Sequence, residues 1–226
     1  MNIEIIRSVE EADKATGLAV VIDVFRAFSV EAYIFANGAS KIIPVLNLEE
    51  AYLLKRENPD YILIGEREGV KPEGFDFGNS PTEILDINFS GKTIVHTTSN
   101  GTKGLMNTTN ADTVLTGSFL IVNSIIKYIK QNNFQNVYLI STAPVPEEDS
   151  EDIILAFYIR DILNGVEVDE SKIKKTMRTT SAYSFLRNEA GVPETDFDLC
   201  LDFNRFDFVI KKVNDSGQFY LIKENV

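Results

Sequence analysis

The chain has 226 residues, 44% of them hydrophobic, enough for a sizeable core in one large domain or two small ones. Its 22 basic residues face 34 acidic ones, so no basic excess exists to displace counterions from nucleic acid or an anionic membrane. Any anionic ligand must find a local basic pocket, and the single cysteine, Cys200, excludes an internal disulfide.

The first residues, MNIEIIRSVEEADK, carry acids where a secretion signal would have a basic flank and a long apolar run, so no cleaved leader is expected. No apolar stretch approaches the roughly 20 residues of a membrane helix, and a soluble, cytoplasmic protein is expected. LAVVIDVF then reads as a buried strand and SVEAYIFANG as a helix closed by Gly38. KIIPVL, LEEAYLLKREN and YILIGE read as strand, helix and strand, with REGVKPEGFDFGNSP as the loop that follows. Beyond it, KTIVHTT, TVLTG and NVYLIST read as strands, each followed by a helix in GTKGLMNTT, FLIVNSIIKYIKQN and EDIILAFYIRDIL. SKIKKTMRTTSAYSFLRNEAG is mainly helical, and FVIKKV and FYLIKE flank NDSG as a terminal hairpin. This alternation predicts an α/β fold: a mostly parallel sheet with helices on both faces, then a C-terminal helical segment and β-hairpin. Residues 1–226 read as one domain, with 171–226 as a candidate C-terminal subdomain.

In an open parallel sheet, ligands bind outside the carboxyl ends of the strands, where helix N-termini also point. Four groups fall at such ends: Asp23, Glu66, the TTSNGT stretch, and Glu151 with Asp152. If the sheet is parallel, all four share one edge. Backbone N–H groups around Asn100 and Gly101, helped by Thr97, Thr98, Ser99 and Thr102, can cradle phosphate or sulfonate oxygens, although a helix cap uses the same residue types. GxxxxGK[ST] is absent, so this is no P-loop. Asp23 with Arg26, and Glu66 with Arg67, each put an acid and an arginine at the end of an apolar run, as parts of a site or as buried ion pairs. Glu151 and Asp152 suit a helix first turn, yet with Asp23 and Glu66 they make an oxygen-rich candidate site for Mg²⁺. His96, the only histidine, reads as a strand residue, and one histidine excludes a His-rich metal site. Cys200 and Arg205 in CLDFNR are one residue short of the cysteine-phosphatase loop, so Cys200 reads as a core residue. Asp23 also lacks the second Asp of the haloacid-dehalogenase nucleophile motif.

Taken in order, VVIDVFRAFS, ANGA with IIPV, GEREG, GFDFGNSP, TTSNGT, SEDIILA and LCLDFNRFDFV resemble the ComB-like 2-phosphosulfolactate phosphatases over nearly the whole chain. The resemblance implies an α/β fold, no nucleotide cofactor, and Mg²⁺-dependent hydrolysis of (2R)-2-phospho-3-sulfolactate to 3-sulfolactate and phosphate, a step associated with coenzyme M synthesis. It points to Asp23, Arg26, Glu66, Arg67, Asn79, Ser80, Thr97, Thr98, Asn100, Gly101, Thr102, Glu151 and Asp152. The chain departs from the family pattern at Ser99, where a Thr is commoner, at VPEED, where relatives carry a glycine-rich run, and at Tyr183, where they carry a histidine. The expected chemistry is phosphomonoester hydrolysis, with Asp23 as general base or acid and with Arg26, Arg67 and TTSNGT holding the phosphoryl group. Mg²⁺ is expected on some of Asp23, Glu66, Glu151 and Asp152. The expected partner is a small anionic phosphorylated substrate, with no nucleic acid and no membrane. A sensor domain for such acids, a mutase or lyase using the same carboxylates, and self-association all stay open.

Overall fold

The computed structural model describes residues 1–143, 150–179, 192–215 and 217–226. The strands are β1 (Asn2–Ile6), β2 (Leu18–Ile22), β3 (Lys41–Pro44), β4 (Ile62–Gly65), β5 (Thr93–Thr97), β6 (Thr113–Gly117), β7 (Asn136–Ser141), β8 (Phe208–Asp215) and β9 (Gln218–Asn225). Between them lie α1 (Ala27–Ala36), α2 (Leu48–Glu57), α3 (Pro81–Ile84), α4 (Gly101–Asn107), α5 (Val122–Asn132), α6 (Glu151–Leu163), α7 (Glu170–Met177) and α8 (Thr195–Cys200). This is the expected α/β fold with a mostly parallel sheet and a C-terminal hairpin. Among the described residues, no helix is long and apolar enough to cross a membrane.

The central strand and helix follow from the most apolar part of the chain. All five residues of β2 are buried, as an apolar run without alternation requires. Nine of the ten residues of α1 are buried as well, because a helix apolar all round has to be enclosed. Gly38, at φ +95°, closes α1 in a conformation that a side chain would disfavour. In the β3, β4 and β5 group, Ile43, Leu63 and Val95 face α2, whereas Ile42, Ile64 and Ile94 belong to the core around α1. Helices therefore cover both faces there.

The strand order is β1-β7-β2-β6-β8-β9-β3-β5-β4. The four strands on one side pair in parallel, as do the three on the other, but the hairpin between them pairs antiparallel with β6, within itself, and with β3. Three antiparallel steps reverse direction, so the two parallel groups run opposite ways along the sheet. The hairpin read as terminal in sequence is thus central in space. The ends of β2 and β5 nevertheless lie close together, since Gly101 after β5 meets Asp23 after β2. Gly104 lets α4 approach β2 closely, since a Cβ there would stand 2.9 Å from Val21 Cγ1 and 3.0 Å from Thr142 Cγ2.

Beside the short helices α3 and α8, which fall where no helix was expected, three differences stand out. β2 stops at Ile22 and α1 begins at Ala27, because Asp23 caps the helix instead of prolonging the strand. β1 went unread, although Asn2–Ile6 is a short edge strand paired with β7. The segment from Ser171 to Gly191 is helical through Met177 in α7, and its residues 180–191 lie outside the described residues.

Candidate active site

At the end of β2, Asp23 Oδ1 accepts the Ala27 N–H at 3.0 Å and Oδ2 accepts the Thr142 hydroxyl at 3.1 Å. The residue is only 8% exposed. Its carboxyl is raised to about 6 on balance: burial pushes it up, the two hydrogen bonds pull it back, and the charge of Glu66 adds to the rise. Asp152, the second residue of α6, is 1% exposed and more fully engaged. Its Oδ1 accepts the Val24 N–H at 2.9 Å, and its Oδ2 accepts the Thr142 N–H at 3.0 Å. The Thr142 hydroxyl lies 3.2 Å from the same Oδ2, so one hydroxyl proton faces two carboxyls. Burial, and then the neighbouring Glu151 charge, drive Asp152 well above the ordinary carboxylate range. Asp152 staples the turns after β2 and β7 together. Glu151 opens α6 beside it, partly exposed.

The turns after β4 and β5 make the second wall. Glu66 Oε1 accepts the Ser99 N–H at 2.6 Å, and Oε2 accepts the Gly69 N–H at 2.8 Å and the Ser99 hydroxyl at 3.1 Å. Arg67 does not pair with that carboxylate. Its guanidinium donates to the carbonyls of Glu66 and Leu46, both at 2.7 Å, and to the Thr97 hydroxyl at 2.5 Å. Among the described residues it has no carboxylate partner, so its positive charge is held in place without an acid to neutralise it. Thr98 and Thr102 bond one another, with the Thr102 N–H reaching Thr98 Oγ1 at 3.2 Å and the Thr102 hydroxyl reaching the Thr98 carbonyl at 2.8 Å. The Thr and Ser hydroxyls therefore shape the turn. Asn100 caps α4 without a side-chain bond, and a Cβ on Gly101 would lie 2.7 Å from Asp23 Oδ2. That contact brings the two turns together.

Among the described residues Arg26 forms an ion pair with Asp196 of α8, at 2.8 Å, and none with Asp23. Asp196 is fully buried and also accepts from the Ser80 hydroxyl at 2.8 Å, the Thr82 N–H at 3.0 Å and the Thr82 hydroxyl at 2.6 Å. Asn79 lies against His96, a buried β5 residue. Asp196→Ala removes the acceptor from four donors at once and is expected to lower stability by on the order of 3–5 kcal/mol. Chemical denaturation would check this, and a loss under 1 kcal/mol would show that Arg26 and Ser80 do not depend on it.

Sequence reading missed Thr142, Asp196 and Glu31. Glu31, the one acid inside the apolar AFSVEAYIFA, carried the signal that singled out Asp23. Thr142 read as the polar end of the NVYLIST strand, and Asp196 fell in a stretch to which no element was assigned. Cys200 is buried in the core, which pushes its thiol far above the usual range, and Arg205 pairs with Asp202 on the surface. Cys200 is the core residue expected. Tyr183 and the VPEED run lie outside the described residues.

Comparison with known proteins gives the same family as the ordered motifs. The family model described as 2-phosphosulpholactate phosphatase matches residues 4–215. A probable 2-phosphosulfolactate phosphatase of Clostridium perfringens is 32% identical over 95% of this chain and 94% of its own length. One from Clostridium acetobutylicum is 36% identical over 84% and 81%, and one from Thermoplasma acidophilum 32% over 84% of each. With a match across almost the entire fold, the chain belongs to the 2-phosphosulfolactate phosphatase family.

Proposed function

We propose that the protein hydrolyses 2-phospho-3-sulfolactate to 3-sulfolactate and inorganic phosphate, with Mg²⁺ at the site. One observation carries the reading: Asp23, a nearly buried carboxyl that titrates at about 6, abuts Gly101 at the turn where Glu66 and Arg67 also lie. A group with that pKa can take and return a proton at neutral pH. Membership in the family supports the substrate.

In this reading Asp23 Oδ2 accepts a proton from the attacking water. Arg67, fixed by two carbonyls and the Thr97 hydroxyl, holds a phosphoryl oxygen without having to reorganise. Arg26 is the second arginine of the reading, and Asp196 fixes its guanidinium. Among the described residues no group of three or more His, Cys, Asp or Glu is arranged to hold a metal. Mg²⁺ needs no such cage, because one or two carboxylates with waters and substrate phosphate suffice. The hard oxygens of Asp23 and Glu66 fit it: each Asp23 oxygen accepts a single hydrogen bond, and the two like charges oppose one another. Asp152, 1% exposed against 8% for Asp23 and for Glu66, is sealed behind the Val24 and Thr142 N–H groups it accepts, which leaves it the role of a brace. When bound, Mg²⁺ supplies Lewis-acid neutralisation of the phosphate charge.

The test is phosphate release across phosphorylated hydroxy acids with and without Mg²⁺. EDTA is expected to abolish release and added Mg²⁺ to restore it. Undiminished turnover in metal-free buffer would remove the ion from the mechanism, and products other than free phosphate would turn the reading to a mutase or lyase.

A further inference from the structure

His96 sits wholly buried on β5, one residue before Thr97, with a polar partner at each ring nitrogen. Glu31 Oε1, from the middle of α1, lies 3.0 Å from Nδ1, and Asn79 Oδ1, from the loop before α3, lies 3.3 Å from Nε2. Glu31 is itself fully buried, and its other oxygen has no hydrogen-bond partner. At the far end of the chain of contacts, Asn79 Nδ2 makes no hydrogen bond with the described residues and is not among the polar atoms sealed from solvent. None of this is needed to hold β5 in the sheet.

We propose that Glu31 and His96 are a positioning pair for the phosphoryl site: Glu31 fixes the ring through Nδ1, and Nε2–H donates to Asn79 Oδ1, so that Asn79 presents its NH₂ as a donor to an anionic substrate oxygen. This deepens the phosphatase reading and rests on it.

Charge decides between the two ways of arranging these atoms. If Nε2 were bare, it would accept from Asn79 Nδ2, the ring would be neutral with its proton on Nδ1, and Glu31 would keep a buried negative charge met only by that one Nδ1–H donor. Burial penalises that state, as the raised pKa of Glu31 reflects, while the His96 hydrogen bond pulls the other way. With one proton more, held on either side of the Glu31–Nδ1 bond, the pair is neutral overall and Nε2–H points at Asn79 Oδ1. Asn79 then turns donors outward. In the bare-Nε2 arrangement it would turn a carbonyl oxygen toward an anion. The charges and polar groups around the pair are Glu31 from α1, Thr116 from β6, Asn79, and Asp23, whose charge also raises Glu31.

Because His96 is the only histidine, ¹⁵N-histidine labelling gives one ring to read. The wild type at pH 7.5 is expected to show a proton on Nε2. A second arm compares His96→Gln with His96→Asn. Both delete the ring, but the Gln amide reaches the Nε2 position, whereas the Asn amide reaches only Nδ1. Affinity for inorganic phosphate is expected to stay within about threefold in His96→Gln and to fall about tenfold in His96→Asn. A bare Nε2 in the wild type, or equal losses in the two variants, overturns the positioning pair and leaves the phosphatase reading standing. A wild-type protein that neither binds nor releases phosphate overturns both.

Discussion

Asp23→Asn is expected to lose activity by about 10² to 10⁴, the contribution of a positioned acid or base, while the folded protein becomes more stable. The geometry allows both. The amide oxygen can accept the Ala27 N–H as Oδ1 does now, and the amide nitrogen can donate to the Thr142 hydroxyl. The one proton of that hydroxyl is then free for Asp152, which also lies in reach. The sign of the stability change follows from the pKa. Asp23 in the folded chain titrates at about 6, above its ordinary 3.8. Between those values the folded state binds more protons than the unfolded one, so stability falls as pH rises through the window. Above it the ionised carboxylate costs up to about 3 kcal/mol, which the amide relieves. Melting at pH 7.5 is expected to rise by several degrees over wild type, at roughly 2–4 °C per kcal/mol for a chain of this size. At pH 4 most of the gain disappears, because the wild-type carboxyl is protonated when folded. A folded variant with near-normal turnover would reduce Asp23 to a helix cap.

The same residue shows what the sequence could and could not convey. An acid at the end of VVI is conspicuous because a carboxylate after an apolar strand needs a reason, and Glu66 after ILIG repeats the pattern. Those two were legible, as were the strands and helices with clear periodicity. Partners far away in the chain were not. Arg26 sits three residues from Asp23, yet its ion pair is made 170 residues later, with Asp196. Arg67 sits beside Glu66 but turns its guanidinium to two carbonyls and Thr97 instead. Strand order was illegible for the same reason: nothing local in FVIKKV or FYLIKE says that their hairpin joins two parallel groups of opposite direction. Asp23 and the TTSNGT turn do meet, as the shared-edge rule expected, but its premise fails: β2 and β5 belong to parallel groups of opposite direction and share no parallel edge.

Gly101→Ala should strike that meeting point directly. Gly101 is the first residue of α4 and has no positive φ to protect, so by propensity alone alanine would be favourable by up to about 1 kcal/mol. Space says the opposite. The added Cβ would stand 2.7 Å from Asp23 Oδ2, 3.0 Å from Ala27 Cβ and 3.2 Å from Thr98 Oγ1. The carboxylate oxygen is the shortest of these contacts, so the group that gives way is the one assigned to move a proton. A shift near 1 Å in a reacting group costs on the order of 10² in rate, and kcat is expected to fall by about that much with the fold intact. Ser99→Thr supplies the contrast within the same turn. Ser99 is exposed and bonds Glu66 through its N–H and hydroxyl, both of which threonine keeps, so turnover should change less than about threefold. Kinetics and melting of the two variants separate the possibilities. A Gly101→Ala enzyme with normal kcat and a higher melting temperature would make the stretch an ordinary helix start, unconnected to Asp23 chemistry. A large loss in both variants would mean that the turn as a whole, and not the Asp23 contact, is what the site requires.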